Sequence, residues 1–223
     1  MEERFLRNIP ALSQREQMLL GEKHVLLIGC GGLGGTLLEL LARAGVGEIT
    51  AVDGDVFTES NLNRQILCTE QTLGRSKVAV AEERIRQIAP GLRFHGVAAR
   101  FDADNAASLV RGKDLVLDAL DSVPSRLLLE DACGAPHVTL VHGAVSEWRA
   151  QVAVVPPGSG LLHRLYRDGQ QEQSSSVLSF APAYCASIQA AQAVLLLTGR
   201  QSPLEGRLLL TDLQDMESHL LAI

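Results

Sequence analysis

A five-residue run, His24-Val25-Leu26-Leu27-Ile28, passes without a spacer into Gly29-Cys30-Gly31-Gly32-Leu33-Gly34-Gly35, and few folds can use that juncture. The run does not alternate polar and apolar positions, which predicts a strand buried on both faces. Leu33, Leu37, Leu40, Leu41 and Ala44 then recur at helical spacing until Gly45 stops them. A second strand from Glu48 to Val52 closes a βαβ unit, with the glycines at its first turn.

The alternation continues downstream. Residues 74–89 read as an amphipathic helix with Val78, Ala81, Ile85 and Ile88 inward, stopped at Pro90-Gly91. Leu92 to Ala98 is strand-like, 102–111 helical, Asp114 to Asp118 a buried strand, 123–134 a helix and His137 to His142 a strand. Helices alternating with short apolar strands predict a parallel sheet wound on both sides. Past Gly143 the pattern changes: Ala150 to Val155 has no helix before it, so it adds antiparallel to the sheet. Residues 180–198 are alanine-rich and apolar all round, predicting a buried helix, and 207–213 with 217–222 read as a strand pair. The expected fold is therefore α/β, a Rossmann-like, doubly wound and mostly parallel sheet extended by antiparallel C-terminal strands. One domain spans 1–223, with 1–21 as a helical N-terminal segment and 156–179, too polar for core, as a mobile crossover loop.

Charge and composition narrow the partners. With 20 basic and 26 acidic side chains the net charge is −6, which argues against a nucleic-acid surface. No apolar run approaches the roughly 20 residues of a membrane span. Met1-Glu2-Glu3-Arg4 lacks the apolar core of a signal peptide, so the expected location is cytoplasmic. Cys30, Cys68, Cys133 and Cys185 form no CxxC pair, predicting free thiols and no cysteine-built zinc site.

Gly29-x-Gly31-x-x-Gly34 with Asp53 at the end of the next strand fits a dinucleotide fingerprint. Such glycines let backbone N–H groups approach phosphate, and the acid accepts from ribose hydroxyls. That much leaves an NAD(P) dehydrogenase and other nucleotide users open. Asn61-Leu62-Asn63-Arg64-Gln65 and Gly74-Arg75-Ser76-Lys77 favour nucleotidyl transfer, because an anionic nucleophile must approach a polyphosphate. Two like charges 4 Å apart repel by about 4 kcal/mol at an effective dielectric near 20, and fixed cations remove that barrier. Arg64 and Lys77 stand at suitable chain positions. Lys77 lies in the first turn of a helix, where the dipole disfavours a cation; on its own it reads as a solvated surface lysine.

Five motifs in register then resemble the ThiF/MoeB/HesA family, bacterial relatives of ubiquitin-activating enzymes. They are Gly31-Gly32-Leu33-Gly34, Asp53-Gly54-Asp55, Asn61-Leu62-Asn63-Arg64-Gln65, Gly74-x-x-Lys77 and Asp118-Ala119-Leu120-Asp121. Arg4-Phe5-Leu6-Arg7-Asn8 is similar to the family's Arg-Tyr-x-Arg-Gln stretch, and Gln189 to Gly199 to its last long helix. The resemblance implies ATP-dependent adenylation of the C-terminal carboxylate of a small ubiquitin-like sulfur carrier with a Gly-Gly tail. It implies nucleotide contacts from Gly29, Gly31, Gly32, Leu33, Gly34, Asp53, Asp55, Asn61, Arg64, Gln65, Lys77 and Asp121. Arg64, Lys77, Asp121 and Arg7 would carry the chemistry, Asp121 holding Mg²⁺ and Arg7 reaching the neighbouring site of a homodimer.

The chain also departs from the family. It lacks the CxxC pairs of zinc-bearing members, has Ser122 where asparagine is common, and places no cysteine in 156–179. Cys185 falls inside a helix, so adenylation without an obligatory enzyme thioester is expected. His142 reads as structural, with no acid partner evident in the sequence; His163 reads as solvated and Trp148 as partly buried. The alternatives are a tRNA threonylcarbamoyl-adenosine dehydratase-like activity, an NAD-dependent oxidoreductase and a silent binding module.

Overall fold

The buried strand at His24–Ile28 (β1) sits inside an eight-stranded sheet in a computed structural model that describes residues 2–167 and 176–223. Its residues divide by the two-residue strand period: Val25 and Leu27 enter the hydrophobic cluster on one face, Leu26 and Ile28 the cluster on the other. The strands that follow are Glu48–Val52 (β2), Arg93–Val97 (β3), Leu115–Asp118 (β4), Leu140–Ser146 (β5), Arg149–Val155 (β6), Arg207–Asp212 (β7) and Glu217–Ala222 (β8). Their spatial order is β3-β2-β1-β4-β5-β6-β7-β8. Pairing is parallel from β3 to β5 and antiparallel from β5 to β8.

The helices are Gln14–Leu20 (α1), Gly32–Ala44 (α2), Lys77–Ile88 (α3), Ala106–Val110 (α4), Val123–Gly134 (α5), Leu161–Leu165 (α6) and Phe180–Leu197 (α7), preceded by a 3-10 turn at Glu3–Asn8. Helices α2, α3 and α7 bury Leu37, Leu41, Ile85 and Ala186 in one cluster; α4, α5 and α6 bury Val110, Leu129 and Leu161 in the other. Strand order reverses between β2–β1 and β1–β4, opening a crevice at the C-terminal ends of the strands, where such sheets bind ligands. α2 begins at this point and ends at Gly45, whose φ of +100° closes the helix in the left-handed region.

Several boundaries differ from the sequence reading for identifiable reasons. α3 begins at Lys77, because Gly74 takes a φ of +76° in the preceding turn. α4 is one turn long: Asp102 Oδ1 accepts from the amides of Asp104 and Asn105, so the residues before it form an Asx turn. β5 starts at Leu140 because His137 has φ +56°, and it runs past Gly143, where a Cβ would lie 2.3 Å from the Gln189 side chain on α7. The described part of 156–179 is not all loop. Leu161 and Leu162 are fully buried in α6, and the buried Glu130 carboxylate accepts from the amides of Leu162 at 3.2 Å and His163 at 3.1 Å. The reading of that stretch as too polar for core is corrected there; the rest of the expected mobile loop, 168–175, lies outside the described residues. α7 is long and apolar enough to cross a membrane by length and composition, contrary to the expectation that no apolar run approaches a span, and half of it is buried within the fold.

Candidate active site

The crevice is a cavity of about 790 Å³. Its floor is the β1–α2 turn. Gly31 and Gly32 present backbone to it, and a Cβ on Gly32 would come within 3.3 Å of the Arg64 carbonyl and of Pro182. Leu33 and Gly29 also line it. Gly34 does not: a Cβ there would stand 1.9 Å from the Gly29 carbonyl oxygen, so this glycine serves helix–strand packing and not the cavity.

Asp53, one residue beyond β2, is held by backbone amides, with Cys30 N–H donating to Oδ2 at 2.7 Å and Asp55 N–H to Oδ1 at 2.8 Å. Both oxygens keep lone pairs for a further donor. Lys77 is buried, and its Nζ lies 3.2 Å from Asp55 Oδ2. The reading of Lys77 as a solvated lysine is therefore corrected: the first residue of α3 points its ammonium into the crevice. Arg64 follows the 3-10 turn Glu59–Asn61, and its Nη1 donates to the Ser60 carbonyl at 2.8 Å and to Asn63 Oδ1 at 2.9 Å. Among the described residues it has no carboxylate partner. Gln65 is buried on the wall, and its Oε1 has no hydrogen-bond partner among the described residues.

Asn61 and Arg7 are not on the wall. Asn61 is buried beneath it, its Oδ1 accepting from Thr58 N–H at 3.1 Å to fix the turn that presents Arg64. Arg7 is exposed in the first 3-10 turn. Asp121 does line the cavity but is exposed; the carboxylate buried at the end of β4 is Asp118, which corrects the reading of Asp121 as a buried strand end.

Two cations on the wall, Arg100 and Arg126, were not singled out from the sequence. The signal for Arg100 was its place just after β3, since loops leaving the C-terminal ends of parallel strands overhang the crevice. Four basic and three acidic side chains line the cavity, a local reversal of the net charge of −6.

His142 is fully buried and has an acid partner after all: Nδ1 lies 2.6 Å from Asp118 Oδ2, and Nε2 lies 3.0 Å from the Tyr166 hydroxyl. Burial holds its pKa below the ordinary imidazole value against the opposing pull of Asp118. His163 is half exposed and pairs with Asp131 at 2.8 Å, and the Trp148 ring meets Phe180 at a tilt of 48°, centroids 4.9 Å apart. All four cysteines are free and buried. Burial raises the Cys30 thiol and pushes Cys133 and Cys185 up to about 12, the reverse of what a nucleophile needs.

Comparison with known proteins follows the same outline. The ThiF family model matches residues 4–223. The chain is 35% identical over 199 residues to the SAMP-activating enzyme E1 of Haloferax volcanii, covering 86% of this chain and 74% of that one. It is 35% identical over 216 residues to a sulfur carrier protein adenylyltransferase of Thermus thermophilus, covering 92% and 80%. The crystal structure of E. coli MccB with ATP superposes with a TM-score of 0.85 at 18% identity, over all of this chain and 72% of that one, a likeness of fold.

Proposed function

The chain belongs to the ThiF family, and from that premise we propose that it adenylates the C-terminal carboxylate of a small ubiquitin-like sulfur carrier with ATP, releasing pyrophosphate. The observation that carries this reading is the pair of cations beside the glycine turn: Lys77 drawn out of water and Arg64 with no carboxylate partner among the described residues, in a cavity whose charge opposes that of the whole chain. Hydride transfer itself brings no anion against a phosphate; a site where one anion attacks another does, and cations offset that repulsion.

The triphosphate lies along the N-terminus of α2, where unpaired N–H groups and the helix dipole favour negative charge. Asp53 accepts from the ribose hydroxyls. The carrier carboxylate is already ionised at neutral pH, so no general base is required. Its oxygen bonds to the α-phosphorus, the bond from that phosphorus to the bridging oxygen breaks, and the electron pair leaves with pyrophosphate. Lys77 and Arg64 lower the repulsion on approach and favour the charge that grows on the departing group; each is worth up to about 4 kcal/mol at 4 Å and an effective dielectric near 20.

Mg²⁺ suits this wall. It takes one or two carboxylates and fills its remaining positions with phosphate oxygens and water, and Asp121 offers an exposed carboxylate on the wall. When bound there it neutralises polyphosphate charge. Arg7, outside its own chain's cavity, supplies a neighbouring subunit's site in a homodimer. With its thiols buried, the enzyme forms no obligatory thioester, and sulfur arrives from a separate donor.

The test is exchange of radiolabelled pyrophosphate into ATP against a panel of ThiS-like and MoaD-like carriers. Exchange that needs one of these carriers, and that disappears when its terminal glycine is deleted, is the expected result. Nicotinamide reduction without such exchange would overturn the reading.

A further inference from the structure

A second cavity of about 300 Å³ adjoins the first, and Asp121, Arg126, Ala144 and Val145 line both. Among the described residues Arg126, on the first turn of α5, is the only cation common to the two walls. Its guanidinium is tied down on one side: Nη2 donates to the Leu120 carbonyl at 2.8 Å, Nη1 reaches the Tyr166 hydroxyl at 3.4 Å, and Cζ sits 5.8 Å from the Tyr166 ring centre. Nε is buried with no hydrogen-bond partner among the described residues. A guanidinium has five N–H donors in a planar fork, and among the described residues two acceptors meet it. A buried donor left so is costly unless a ligand completes it.

The tie to Tyr166 is itself anchored in the core. Asp118 accepts from His142 Nδ1–H at 2.6 Å, which leaves Nε2 as the acceptor for the Tyr166 O–H at 3.0 Å. The tyrosine oxygen accepts in turn from Gln151 Nε2 at 2.6 Å and from Arg126. Gln151 Nε2 also stands 3.2 Å from His142 Nε2, closing the network, whose buried end is the last residue of β4, three positions before Asp121. A side chain as long as arginine loses much rotamer freedom when held this way, and the anchoring supplies what a bidentate anion contact requires, a fork fixed in the plane of its acceptor.

We propose that Arg126 is a further substrate-binding residue: its guanidinium, fixed between the two cavities by Leu120 and the Asp118–His142–Tyr166 chain, receives the terminal carboxylate of the incoming carrier tail in the smaller cavity and presents it to the nucleotide in the larger. His142 and Tyr166 are positioning residues for that contact. The proposal rests on the adenylation reading and adds to it which group holds the nucleophile.

The experiment uses the full-length enzyme, the carrier that supports pyrophosphate exchange, and the same carrier with its terminal carboxylate converted to an amide as a competitive inhibitor. The wild type binds the acid at least about tenfold tighter than the amide, about 1.4 kcal/mol. Arg126→Gln reduces that preference to under about threefold and raises the carrier KM, while the ATP KM stays within about twofold. Tyr166→Phe, which keeps the ring and loses the hydroxyl, raises the carrier KM a few-fold with the ATP KM unchanged. Arg126→Lys keeps the charge without the fork and loses part of the preference, and it serves if the glutamine variant does not fold. An acid preference unchanged in the Arg126 variants overturns the proposal while leaving adenylation standing. Failure of the wild type to exchange with any carrier removes both.

Discussion

Lys77 Nζ lies 3.2 Å from Asp55 Oδ2, with the lysine side chain 9% exposed and the aspartate 57% exposed. The ammonium is thus desolvated beside a partner that water still reaches, and burying a charge against so exposed a partner contributes little or nothing to stability. The proposed contact with the nucleotide phosphates accounts for an ammonium kept in that setting.

Replacing Lys77 with methionine separates the two effects. The chain keeps its fold, with a urea midpoint unchanged or raised by the equivalent of about 1 kcal/mol. Carrier-dependent exchange falls at least about tenfold, or 1.4 kcal/mol of transition-state stabilisation. Urea unfolding and exchange kinetics on one preparation measure both.

The glycines of the turn divide by role. Gly34→Ala places a methyl 1.9 Å from the Gly29 carbonyl oxygen, a backbone atom that cannot swing away. The variant loses about 2 kcal/mol or more of stability, despite alanine's better helix propensity. Gly31→Ala meets only the Gln65 amide, at 3.4 Å, so its stability loss is the smaller of the two, and its main effect is a weaker affinity for ATP, whose phosphates need the space. Thermal melts and ATP titration distinguish them.

Much of this was legible beforehand, and the misses share a cause. β1, β2 and α5 were read to the residue, because uninterrupted apolar runs and glycine or proline punctuation leave a strand or helix no alternative. The cavity wall at Gly31, Gly32, Asp53, Arg64, Gln65 and Lys77 was legible from motif spacing. Burial was not. Nothing local tells that Lys77 is buried while Asp121 is exposed, since each depends on how elements distant in the chain close over it. Likewise the Asp118–His142–Tyr166 chain joins β4, β5 and the end of α6, so no window of sequence contains it. Gly34 and Asn61, expected as nucleotide contacts, do not line the cavity: Gly34 packs against the Gly29 carbonyl and Asn61 Oδ1 accepts from Thr58 N–H.

Stability declines on the acid side of neutrality through His142. Its folded pKa lies below the ordinary imidazole value because burial disfavours the imidazolium. Between the folded pKa and about 6.5 the unfolded chain therefore binds more protons, so stability rises with pH across that window and levels off above it. Melting temperature should fall as pH drops below about 6.5, and His142→Gln should flatten that part of the profile.

Arg7 and Lys77 offer a test of shared sites. If Arg7 acts across a dimer, an Arg7→Ala subunit paired with a Lys77→Ala subunit contains one intact site and one doubly defective one. Random reassociation of equal amounts then restores about a quarter of wild-type activity, since half the dimers are mixed and each has one working site of two. Mixtures no more active than either variant indicate self-contained sites.

The claim on which the rest depends is that Lys77 and Arg64 act on charge that develops as the phosphoryl bond changes hands. Single-turnover formation of the carrier adenylate, followed by intact mass with ATP saturating, measures this most directly. The expected result is that Lys77→Ala and Arg64→Ala each slow the step at least about tenfold, a deficit that more ATP does not recover. Variants that form the adenylate at the wild-type rate once ATP is saturating would contradict it.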